Sequence, residues 1–130
     1  MILAVILTLF LLLTPRTLDD IPAQLDTRLN VELTKSEIEK IILDAAARHE
    51  INANQFLITA KCESSLRPRV IGDNGNSLGL FQIHLPSHPT VTREQAFNPV
   101  WASEWSAIKF RKNPYIWVCY KKLYGQENSQ

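Results

Sequence analysis

The sequence predicts a mainly helical domain, α+β in class, with a small glycine-rich insertion that carries little sheet. Three observations predict it. Apolar residues recur at helical spacing over 38–46 and again over 56–60, each stretch opened by a capping signal. Gly72, Gly75 and Gly79, with Asp73, Asn74 and Asn76 among them, break any helix in the segment that follows. Two Asn-Pro pairs, at 98–99 and 113–114, read as helix starts, with the asparagine as cap and the proline at the first helical position. A chain of 130 residues suits one domain with one core.

Taken in order, the chain opens on Ile2 to Leu13, an apolar run broken only by Thr8 and ended by Pro15 and Arg16. A membrane-spanning helix needs about 20 apolar residues, so the run fits the apolar part of a secretory signal better. No Lys or Arg precedes it and no small-x-small cleavage site follows, which leaves an uncleaved membrane anchor open beside a signal peptide. A buried N-terminal helix is the third reading. Residues 1–14 are assigned to this segment and 15–33 to a linker, because Pro15 and Pro22 are breakers and the polar residues there lack a period. The domain is expected over 34–125 and a tail over 126–130. Thr34-Lys35-Ser36-Glu37 forms a capping box ahead of Ile38, Ile41, Ile42, Ala45 and Ala46. Asn52 caps a second helix, with Gln55 at its third position. Phe56, Leu57, Ala60 and Glu63 share one side of it, and Pro68 limits its extension past Ser65. Leu78 to Leu85 is expected as a short strand or extended segment. Trp101, Trp105 and Ile108 give the helix after Pro99 a buried face. The last helix carries Trp117, Val118 and Cys119 and ends near Gly125.

Composition removes some functions. The formal charge of +1 leaves no electrostatic footprint for nucleic acid. Cys62 and Cys119 do not form a C-x-x-C pair, and metal sites usually need three or four ligands, so no metal and no cofactor are expected. In an exported chain an even cysteine count suggests a disulfide, which over this loop is worth about 4 kcal/mol in the chain-entropy model. Two buried free thiols are the alternative.

Glu63 lies in the last turn of a largely apolar helix. The helix dipole and apolar neighbours both disfavour its charged form, which suits a general acid. A solvated surface glutamate is the commonest fate of the residue type. The run Cys62-Glu63-Ser64-Ser65-Leu66-Arg67-Pro68, followed by Gly79-Leu80-Phe81-Gln82-Ile83, resembles the lytic transglycosylase and goose-type lysozyme families. Gly72 to Ile83, with Ser87-His88-Pro89 after it, is similar to the goose type in particular. The stretch Ala96-Phe97-Asn98-Pro99 to Trp105 is similar to a helix of the transglycosylases. The resemblance spans roughly residues 50–110. It implies a lysozyme-like fold with a glycan cleft, and an exported, monomeric enzyme acting on peptidoglycan glycan strands. Glu63 would be the acid/base, and Ser64, Phe81, Gln82 and His84 would contact substrate. Asp73 matches an aspartate that positions or activates water in the goose type, although it reads equally as an Asx-turn residue. The family's second aspartate is replaced by His84, which leans the expectation toward ring closure over hydrolysis. Phe81 could face core or ligand, and of Trp101, Trp105 and Trp117, all read as core, one could line the sugar cleft instead. A hydrolase of the same bond and an inactive glycan-binding module are the rival functions.

Three other patterns fail on context. Gly75-Asn76-Ser77-Leu78-Gly79 matches a serine-hydrolase elbow, but that turn needs a large parallel sheet. Asp73, Gly75 and Ser77 suggest a calcium loop whose twelfth position, His84, is not a glutamate. Pro86 and Pro89 prevent one helix from presenting both His84 and His88 to zinc.

Overall fold

The structure, a computed structural model, describes residues 32–125. The signal or anchor expected at 1–14, most of the linker expected over 15–33 and the tail at 126–130 lie outside the described residues. The compact unit begins at Leu33. It is mainly helical, with α1 (Lys35–Arg48), α2 (Ala53–Ser64), β1 (Ile71–Gly72), β2 (Ser77–Leu78), β3 (Ile83–His84), α3 (Arg93–Phe97), α4 (Pro99–Lys112) and α5 (Val118–Tyr124). No helix among the described residues is long and apolar enough to cross a membrane.

The first two helices start where their sequences place them. Thr34 Oγ1 accepts from the Glu37 amide at 3.2 Å, and the Glu37 carboxylate accepts from the Thr34 amide at 2.8 Å. Such a cap contributes about 1 kcal/mol. Asn52 Oδ1 accepts from the Gln55 amide at 2.9 Å and opens α2. That helix stops at Ser65, which takes the left-handed conformation with φ 54°. Pro68, just beyond, disfavours helical geometry in the residue before it.

The extended segment expected over 78–85 is instead a tight hairpin. β2 and β3 pair antiparallel, Ser77 opposite His84 and Leu78 opposite Ile83, and β1 adds on the other edge to give the order β1-β2-β3. The reversal needs left-handed backbone at Gly79 (φ 77°) and Gln82 (φ 46°). A Cβ at Gly79 would run into the Ala96 carbonyl of α3, so only glycine lets the turn lie against that helix. Helix α3 itself is an addition to the expected elements. Its signal is local: Thr92 and Gln95 form a second capping box.

Two helical expectations need correction. On α4 the buried side chains are Ala102, Ser103, Ser106, Ala107 and Phe110, whereas Trp101 and Trp105 are half-buried and Ile108 is 44% exposed. Helix α4 packs chiefly on α1, whose own buried residues include Ala45 and Ala46. Small side chains on both helices let the axes approach, and the bulky indoles move to the flank. There Trp101 and Trp105 stack with centroids 6.2 Å apart. The final helix does not run from Asn113. A 3-10 turn over Pro114–Ile116 precedes it, and α5 starts after Trp117. The break turns the Trp117 indole inward, where its Nε1–H donates to the Phe81 carbonyl at 3.0 Å.

The core is centred on aromatic rings from separate elements. Phe56 of α2 stacks on Phe81 of the hairpin turn at 4.5 Å and meets Phe110 of α4 edge-on at 5.1 Å. Leu78, Leu80, Ile38 and Ile42 are fully buried around them. Outside the core, Glu104 of α4 clasps the end of α1, binding Arg48 and accepting from His49 Nε2 at 2.6 Å.

The helix seam contains two hydroxyls, Ser103 Oγ and Ser106 Oγ, that are buried and lack a hydrogen-bond partner. Replacing Ser106 with alanine removes an unpartnered polar group and only one heavy atom of packing. Ser106→Ala is expected to hold or raise the unfolding free energy by up to about 1 kcal/mol, read by urea denaturation. The clasp gives a pH dependence. Burial alone would push the Glu104 carboxyl up, but the hydrogen bonds and charges of Arg48 and His49 outweigh it and hold the group below its ordinary 4.5. A carboxyl lowered by folding stabilises the fold above its unfolded pKa, and that stability is lost as pH falls through the folded value. The melting temperature of the wild type should therefore fall more steeply on acidification below 4.5 than that of Glu104→Gln.

Candidate functional site

Glu63 sits one residue from the end of α2, and two structural facts define its chemistry. The side chain is half-buried, and burial pushes its carboxyl above the ordinary 4.5. Against this, the Cys119 amide donates to Glu63 Oε1 at 3.1 Å, and the Lys122 charge on α5 also favours the anion. Burial prevails. With Oε1 occupied as an acceptor, Oε2 is the oxygen on which a transferable proton can reside. The position is thus paradoxical for a helix dipole: Glu63 opposes that of α2, yet it accepts from the first turn of α5. Trp117, the N-cap of α5, makes no side-chain capping bond, and Glu63 serves the helix in its place.

The expected disulfide is present. Cys62 and Cys119 are bonded, with Cα atoms 5.9 Å apart, and it joins the residue before Glu63 to the residue whose amide Glu63 accepts from.

A cleft of about 400 Å³ opens beside the sheet, lined by Gln82, Ile83, His84, Ser87, His88, Trp105, Ile116 and Trp117. Glu63 is not among the residues that line this cleft. The link between them is the chain from Trp117, in the cleft wall, to Cys119, at the carboxyl. Trp105 and His88 meet edge to face at 4.8 Å, and Lys109 lies 5.2 Å over the Trp105 ring. Burial, Lys109 and His84 together hold His88 below its ordinary 6.5, which favours the neutral imidazole. A cleft lined by indole rings and by polar side chains can offer both apolar faces and hydrogen bonds to a ligand.

The remaining candidates divide. His84 lines the cleft. Its Nδ1 lies 2.7 Å from Ser87 Oγ and its Nε2 3.4 Å from Asp73 Oδ2. Asp73 is turned outward, its side chain 58% exposed, on a left-handed backbone with φ 51°. Gln82 lines the cleft too, but its Nε2 donates to the Gly79 carbonyl at 3.0 Å and the Val70 carbonyl at 3.3 Å. Its donors brace the loop, which leaves Oε1 as its free polar atom, packed over Gly72 where a Cβ would collide with it. Phe81 is a correction: its ring is fully buried between Phe56 and Trp117 and serves the core. Ser64 is a second correction. It is 3% exposed and its hydroxyl donates to the Ala60 carbonyl at 3.0 Å, a back-bond along its own helix. Among the described residues no three His, Cys, Asp or Glu side chains converge as a metal-ligand set. Sequence reasoning missed His88, Ile116 and the Cys119 amide. A backbone donor leaves no mark in sequence, and the positions of His88 and Ile116 follow only from the paths of the 3-10 turns over Leu85–Ser87 and Pro114–Ile116.

The raised pKa of Glu63 carries a stability sign. Its protonated form is favoured by folding, so its contribution is fully present below the unfolded value near 4.5 and declines as pH rises through the folded value. Glutamine keeps the Oε1 acceptor without the charge. The melting temperature of Glu63→Gln relative to wild type is expected to rise between about pH 4 and about pH 7, and a flat difference would place the carboxylate in solvent.

Comparison with protein-family models, curated proteins and solved structures gives no match for this chain.

Proposed function

We propose that the chain is a lysozyme-like lytic transglycosylase that cuts the β-1,4 bond of peptidoglycan glycan strands, with Glu63 as its acid/base. The supporting observation is the state of that carboxyl: half-buried, biased toward the protonated form, one oxygen held by the Cys119 amide and the other free. A glycosidic oxygen is a weak base, and a carboxyl that burial biases toward its protonated form can protonate it as the bond to the anomeric carbon breaks. The resulting carboxylate then takes the proton of the C6 hydroxyl, whose oxygen bonds to the anomeric carbon and closes a 1,6-anhydro ring. Proton and oxygen both come from the substrate, so no water is consumed. The orientation of Asp73 favours this outcome. It is the one carboxylate of the glycine-rich loop, and it is exposed and directed at His84. An intramolecular hydroxyl also has a large proximity advantage over an external nucleophile.

Hydrolysis of the same bond is the second reading, favoured by the contact of Asp73 with His84. That contact sets a carboxylate and an imidazole side by side at the cleft wall, where the pair can orient a water. Mass spectrometry of peptidoglycan incubated with the purified domain separates the two, because the hydrolytic product is heavier by one water. Anhydro products are expected. Glu63→Gln should lower cleavage by roughly a hundredfold or more, the scale of a lost general acid. Asp73→Asn should keep most of the activity and the same products. Equal loss in both variants, with folding intact, would mean that water is the nucleophile. Binding to glycan with no soluble product from the wild type would mean that the domain is a binding module.

A further inference from the structure

We propose that the Cys62–Cys119 disulfide is the positioning element of the Glu63 carboxyl group, holding the Cys119 amide against Oε1 so that the other oxygen is presented for proton transfer. The inference rests on the reading of Glu63 as the acid/base. Cys119 does two things at once: its sulfur is bonded to the neighbour of Glu63, and its N–H donates to Glu63 at 3.1 Å. Helix α5 has only seven residues, too few to hold its place by its own hydrogen bonds. Its N-cap residue supplies no capping side chain, so the amide's orientation depends on what fastens α5: the Trp117 indole bond to Phe81 before it, the Tyr120 hydroxyl on Gln55 of α2 at 3.4 Å beyond it, and the disulfide at Cys119 itself.

The other charged groups near Glu63 leave that role to α5. On α2, Lys61 pairs with Glu39 of α1 at 2.8 Å. In the loop after α2, Arg67 Nε donates to the Ser64 carbonyl at 3.3 Å. Lys122 of α5 acts on Glu63, and it too is placed by the disulfide, one helical turn beyond Cys119. Cys62 is exposed, so a reductant can reach the bond. A dithiol such as dithiothreitol attacks it as thiolate. The S–S bond breaks, Cys62 and Cys119 become thiols, and the reagent closes to its own cyclic disulfide in a balanced two-electron exchange.

The test follows the Cys119 amide by ¹⁵N–¹H NMR through a pH titration, in oxidised and dithiothreitol-reduced protein, beside kcat and KM on peptidoglycan. In the oxidised protein the amide resonance should move with the Glu63 titration, and in Glu63→Gln that movement should vanish. After reduction the far-UV circular dichroism should persist while the coupling is lost. Then kcat should fall roughly tenfold or more with KM changed less than about twofold, as for a misplaced reacting group. Re-oxidation should restore both, and a Cys62→Ala/Cys119→Ala variant should behave as the reduced protein. Three results would overturn the proposal: an oxidised amide indifferent to Glu63, a reduced protein with coupling and kcat intact, or global unfolding on reduction, which would make the bond a general staple. The amide readout needs no turnover, so it judges the positioning even if the glycan reading fails.

Discussion

The residues from Trp117 to Cys119 impose the constraint on which the rest of the domain depends. Trp117 donates its indole N–H to the Phe81 carbonyl inside the core, and Cys119 is bonded through sulfur to α2 and through its amide to Glu63. One extended step of backbone therefore fastens the hairpin turn and the candidate acid to the same short segment. A helix running unbroken from Pro114 would rotate successive residues by about 100° each and could not satisfy all three attachments. The 3-10 turn before α5 resolves that conflict. It also carries Ile116 into the cleft wall.

The glycine-rich loop meets a second constraint, close approach. Gly79 must fit against the Ala96 carbonyl of α3, and Gln82 must fold back to brace Val70 and Gly79. Left-handed backbone at Asp73, Asn74 and Gln82 is part of that geometry. Asp and Asn tolerate it best among residues that have a Cβ. For Gln82 it is costlier, and the two hydrogen bonds of its side chain offset the strain. Gln82 thus lines the cleft while its side-chain donors hold the shape of the loop.

Two glutamates illustrate how the same side chain acquires opposite behaviour. Both feel desolvation as the largest influence. Glu104 is surrounded by Arg48 and His49, and their hydrogen bonds and charges return it to the anion. Glu63 has one amide and the more distant Lys122, which do not outweigh burial. Glu104 is accordingly suited to holding helices together through a stable charge. Glu63 is suited to giving up and recovering a proton, the property on which the proposed glycan chemistry rests.

Local signals in the sequence determined the helix starts at Thr34, Asn52 and Asn98, the end of α2 near Ser65, and the mainly helical class. Each depends on contacts within a few residues, which spacing and capping chemistry encode. The sequence also pointed to Glu63, chiefly through the resemblance of the motifs around it to those of the glycan-cleaving families and only weakly through its place in an apolar helix, and to Cys62 and Cys119 through their even count. Other features were decided only in the tertiary structure. Phe81 became core because Phe56 and Trp117 enclose it, Ser64 turned into its own helix, and the α4 seam selected Ala and Ser over Trp because α1 lies close. The partner of Glu63 is a backbone amide 56 residues away in sequence. Every residue but proline carries such an amide, so composition and periodicity hold no record of which one will meet the carboxyl; only the folding of α5 onto α2 brings it there.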